Sequence, residues 1–106
     1  MAQVNYTVLA QELEIAAGDT VSLFWESVSQ TAARVVTVVP RNPVIDGFID
    51  NDQLIEVVRI WHILKGAVHE RDGTGGTGDL QLNVEIRNLD EANPGFFDIY
   101  MGEIEA

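Results

Sequence analysis

Leu80, Leu82, Val84 and Ile86 alternate without interruption with Gln81, Asn83, Glu85 and Arg87, the period of two that sends successive side chains to opposite faces of a β-strand. The polar set predicts a strand with one wet face. A second alternation, Phe97, Ile99 and Met101 against Asp98 and Tyr100, follows the turn signal Asn93-Pro94-Gly95. The two stretches are therefore expected to be neighbouring antiparallel strands.

The same pattern recurs upstream. Val4 to Ala10 is rich in strand formers, and Leu13-Glu14-Ile15 resumes it after Gln11 and Glu12, which fits one bent strand or two short ones. Ala17-Gly18-Asp19 predicts a turn, with glycine supplying the positive φ that a tight connection requires. Beyond it Val21, Leu23 and Trp25 point one way and Thr20, Ser22, Phe24 and Glu26 the other. This predicts a hairpin partner for the first strand, with Trp25 in the core. Glu26 to Thr31 reads as a loop, and Ala33 to Val39 is dense in β-branched residues up to Pro40. Arg41 to Gln53 holds Asn42-Pro43, Asp46-Gly47 and Asp50-Asn51-Asp52, three turn signals that predict a long loop.

Leu54 to Leu64 supports two readings. Leu54, Val57, Val58, Trp61 and Leu64 have helical spacing, so one short helix around 52–65, capped by Asp50 or Asp52 and closed by Gly66, is the alternative. The β-branched Ile55, Val57, Val58, Ile60 and Ile63 favour a strand, which accommodates them on both faces where a helix leaves Ile60 or Ile63 in water. Gly66 is then a bulge or close-approach site. The four glycines between Asp72 and Asp79 make a hairpin loop back to Leu80. Residues 1–106 are thus expected to be one all-β domain, an antiparallel β-sandwich of Greek-key or jelly-roll type with about seven to nine strands.

Composition narrows the partners. A 106-residue chain with 46% hydrophobic residues can bury a core of its own. Its apolar runs fall far short of the ~20 residues a bilayer demands, so no membrane is expected. Met1 to Ala17 has no basic start and carries Glu12 and Glu14, so no signal peptide is expected either. The absence of cysteine removes disulfides, thiolate chemistry and Cys-ligated metals. With 17 acidic and 6 basic residues the net charge is −11, which repels nucleic acid and anionic surfaces. The first 33 residues hold four acids and the last 19 hold five, with no Lys or Arg in either.

Candidate chemistry is sparse. The loop Gly73 to Gly78 lies between Asp72 and Asp79, lacks a Gly-Lys-Ser/Thr ending and precedes a strand, all contrary to a phosphate cradle. Asp46, Asp50 and Asp52 supply oxygens for one calcium ion, though not at EF-hand spacing, and no other cofactor is implied. His62 and His69 are seven apart and face opposite sides of a regular strand. A small hydrolase or isomerase using His62 or His69 is accordingly the last of three readings. Trp61 or Trp25 stacked on a sugar beside the loop acids at Asp46 to Asp52 makes the calcium-assisted lectin the alternative, whereas Phe96 exposed on one side with Tyr100 suits a protein contact. The leading expectation is a non-catalytic binding or assembly module that self-associates as a homo-oligomer through a strand edge or aromatic patch.

Overall fold

In a computed structural model that describes residues 3–41, 52–66 and 78–105, the chain forms six strands. They are β1 (Gln3–Ile15), β2 (Thr20–Trp25), β3 (Ala33–Pro40), β4 (Ile55–Lys65), β5 (Asp79–Asn88) and β6 (Gly95–Glu105). Two antiparallel three-stranded sheets, ordered β1-β6-β3 and β2-β5-β4, pack against each other. The all-β sandwich is as expected, with six strands among the described residues instead of seven to nine. The helix around 52–65 is not formed: Ile55–Lys65 is strand, as its β-branched residues favour. No helix among the described residues is long and apolar enough to cross a membrane.

The interior joins both sheets. Ile15, Val36, Phe97, Ile99 and Met101 from the first sheet meet Leu82, Val84 and Ile86 from the second, and each such side chain contributes about 1.5–3 kcal/mol when fully buried. Trp25 points inward with Val21 and Leu23 and packs on this core from one side, as its phase predicts.

Two local pairings differ from expectation. β5 and β6 are not neighbours, because residues 89–94 carry the chain from one sheet to the other, and each strand is the middle of its own sheet. Nor do β1 and β2 form a hairpin, since residues 16–19 make the same crossing. A turn signal reports that the chain reverses, whereas the choice between pairing and crossing is made by which apolar faces must meet. Middle-strand position also explains why the polar face of β5 is wet only toward one end: flanking side chains shield Gln81 and Asn83, which are buried, while Glu85 is half-buried and Arg87 exposed. β4 and β5 do pair as a hairpin, from Lys65 opposite Asp79 to Ile55 opposite Asn88.

Irregularities set the phase of the edge strands. β1 has register shifts between Val8 and Ala10 and between Ala10 and Leu13, and Glu12 takes a left-handed φ of 56°. The result is one bent strand whose Val4, Tyr6 and Val8 face outward while Leu9, Leu13 and Ile15 turn to the core. In β4 the bulge lies between Val57 and Arg59, not at Gly66, which instead follows the strand with a φ of 69°. Gly18 takes a φ of 66° in the predicted turn and donates its N–H to the Asp90 carbonyl at 2.8 Å.

Candidate functional site

Residues opposite each other in an antiparallel pair project to the same face. On the outer face of the first sheet the register therefore produces rows across β1, β6 and β3: Val4–Ile104–Ala33, Tyr6–Gly102–Val35 and Val8–Tyr100–Thr37. None of these nine residues is charged. Tyr6, at 82% exposure, is the most open large hydrophobic residue described, and Val4, Val8, Val35, Val39 and Ile104 are exposed as well. Gly102 leaves the centre of the face without a side chain, and a shallow hollow of about 170 Å³ opens there between Tyr6, Val35, Thr37 and Tyr100. A Cβ at Gly102 would come within 3.1 Å of the Tyr6 ring, so the glycine makes room for both ring and hollow.

A polar cluster closes one end of this face. Asp98 Oδ1 accepts from the Glu12 N–H at 2.8 Å and from Arg41 Nη1 at 2.9 Å, and Oδ2 accepts the Tyr100 hydroxyl at 3.4 Å. The Glu12 carboxylate stands 3.7 Å from Arg41 and remains largely in water. The Glu12 N–H chiefly, then Arg41, holds the Asp98 carboxyl below its ordinary value against the opposing effect of burial. Gln53 ties the end together, its amide donating to the Arg41 carbonyl at 2.7 Å and its oxygen accepting the Phe96 N–H at 2.7 Å.

A second cluster clasps the two sheets along the β3/β4 seam. The Arg34 guanidinium donates to Glu103 at 2.8 Å, to the Ser29 carbonyl, and to His62 Nε2 at 2.8 Å. An arginine has donors only, so the imidazole accepts through Nε2 and is neutral. Burial and the facing Arg34 charge both lower the His62 pKa. A lowered folded-state pKa means that the unfolded chain takes up the proton first. The contribution of this contact is therefore complete above the ordinary histidine value near 6.5 and is lost as pH falls through the lower folded value. The melting temperature of the wild type is expected to fall between pH 7 and pH 5 by more than that of His62→Gln. Parallel melting curves would count against the clasp.

The anticipated aromatic patch is not assembled. Phe96 is buried at 7% exposure, and Tyr100 is half-buried on the outer face of the first sheet. Trp61 lies on the opposite outer face, in one row with Asn83 and Phe24. Trp25 points into the core. The Arg59 guanidinium sits 4.4 Å over the Trp61 ring and covers a face that a stacked sugar would use. Asn83 is buried in that row, and its Nδ2 has no hydrogen-bond partner.

Asp46 and Asp50 of the calcium set, and His69, lie outside the described residues, whereas Asp52 is described and exposed. Among the described residues no three His, Asp or Glu side chains converge as metal ligands. The hollow's own residues, Val4, Tyr6, Val35, Gly102 and Ile104, were not singled out by sequence. Their signal was present in β3, where Val35, Val36, Val38 and Val39 make both faces apolar in a strand at the edge of its sheet. Comparison of the chain with protein-family models, curated proteins and solved structures finds no match.

Proposed function

We propose that this chain is a non-catalytic module that binds a protein partner on the outer face of the β1-β6-β3 sheet. One observation carries the reading: in a chain of net charge −11, three successive rows of this face bear no charge and surround an apolar hollow. Contiguous exposed apolar surface of this kind marks interaction sites, whereas single exposed hydrophobic residues are ordinary.

Val35, exposed at 57% on β3 and lining the hollow, is the natural probe. Selection of a random peptide display library on the wild type should return clones whose binding to Val35→Asp is at least about tenfold weaker, since a carboxylate there must be desolvated by any apolar occupant. Clones indifferent to the substitution would move the contact elsewhere.

Self-association is the second reading, favoured by the edge positions that β1 and β3 hold in one sheet and β2 and β4 in the other among the described residues. β4 is the longest edge of the second sheet and exposes Val58, Ile60, Ile63 and Leu64. Sedimentation velocity from micromolar to millimolar concentration decides it. A growing dimer fraction supports self-association, and a monomer throughout removes it.

A further inference from the structure

We infer that the hollow over Gly102 receives a short segment of another protein, which seats one bulky apolar side chain there and places lysine or arginine over the Glu12/Glu14 end of the face. This deepens the proposed function and rests on the outer face of the first sheet being the contact surface. Three features of that face define the segment.

The first is the size of the hollow. At about 170 Å³ it compares with an engineered apolar cavity of ~150 Å³ that binds benzene. It therefore suits a single leucine-sized or aromatic side chain. It is lined by Tyr6, Tyr100, Val35, Thr37, Val4 and Ile104 around Gly102.

The second is the extent of the face. Strands ~4.8 Å apart and residues ~3.3 Å apart make the three-strand, three-row patch roughly 14 Å by 20 Å, a planar footprint of roughly 280 Å². Each partner in a standard interface contributes about 800 Å². A second copy laid flat on this face would also bring another −11 charge toward the first, while a peptide segment needs only a narrow strip.

The third is charge. The strands of the first sheet carry Glu12, Glu14, Asp98, Glu103 and Glu105 against Arg34, whereas those of the second carry Glu56, Asp79 and Glu85 against Arg59, Lys65 and Arg87. The sheet with the hollow is the acidic one. On its outer face the acids are gathered at one end: exposed Glu14 lies opposite Phe96 in register, although the Phe96 side chain itself is buried, and Glu12 and Asp98 meet Arg41, which offsets only one of the three. Asp98 lies four residues from Gly102 along β6, about 13 Å at strand spacing. An extended segment anchored in the hollow thus brings a cationic residue to Glu12 and Glu14 roughly four positions away.

The test takes the Val35-dependent clones of the display selection and measures their affinities as synthetic peptides against the full chain. The expected result is a shared bulky apolar residue with Lys or Arg about four positions away. Binding to Glu12→Gln/Glu14→Gln should be about threefold to tenfold weaker, the range that two charges at an interface rim support. That loss should disappear in 1 M salt, where the Debye length is about 3 Å. Gly102→Ala, which raises the floor of the hollow without introducing charge, should weaken the same peptides and guards against a misfolded Val35→Asp.

Val35-dependent peptides that lack basic residues, or that bind the double variant equally well, would overturn the inference while leaving the binding face in place. A dimer in the wild type that Val35→Asp abolishes would seat a second copy in the hollow and overturn it equally. Peptides that all ignore Val35 would remove the face itself.

Discussion

Asn88→Leu is expected to destabilise the protein by about 3–4 kcal/mol, because it strips a buried polar plug of every bond it makes. Asn88 is 1% exposed at the end of β5. Its amide donates to the Asn93 carbonyl at 3.0 Å, with longer contacts to the carbonyls of Ala16 at 3.4 Å and Ile15 at 3.5 Å. Its oxygen accepts the Asp90 N–H at 3.0 Å. One side chain therefore satisfies backbone groups from both loops that cross between the sheets at this end.

Leucine has comparable bulk but no polar atoms, so the main-chain groups lose partners in a place water does not reach. Each orphaned group costs about 1–3 kcal/mol, and a domain of this size has only about 5–15 kcal/mol in all. The melting temperature should fall by roughly 12–32 °C at about 4–8 °C per kcal/mol. Asn88→Asp keeps the shape and the acceptor but turns a donor into an anion facing carbonyl oxygens, and should be at least as damaging. Denaturation showing a loss below about 1 kcal/mol for both variants would dismiss the plug.

Glu103→Gln is expected to cost about 2–4 kcal/mol, toward the lower part of the range for breaking a buried ion pair because Glu103 is partly open to water. The Arg34 side chain is only 4% exposed against 19% for Glu103, so the substitution leaves a guanidinium buried beside a carbonyl and a neutral imidazole. Nε of Arg34 is already buried without a partner, which leaves no reserve of bonding. Arg34→Met/Glu103→Leu should recover most of the loss, since apolar replacement of both members removes the desolvation cost with the attraction. A double-mutant cycle on denaturant unfolding measures this directly. Additive effects of the two single substitutions would show that the pair is not coupled.

Much of the architecture was legible in the chain. Unbroken alternation at 80–87 and 97–101 marked β5 and β6, β-branched density marked β3 and favoured strand over helix for β4, and Gly18 marked a turn that needs positive φ. The phase of Val21, Leu23 and Trp25 placed that ring inward. These features are local, because side-chain period and backbone strain are properties of a few consecutive residues. Charge was equally legible, and it turned attention from nucleic acid to proteins.

Partnership was not. The alternation of β5 and that of β6 look the same whether the strands pair or face each other across a core. Only packing decided that each would be the middle of its own sheet, with Gln81, Asn83 and Asp98 buried in spite of their polarity. The candidate surface belongs to this second class. Tyr6, Val35 and Gly102 come from three distant parts of the chain and form one row only because β6 lies between β1 and β3 in a particular register. Sequence periodicity tells a side chain which way to point, and the register of long-range pairing determines which other side chains it meets there.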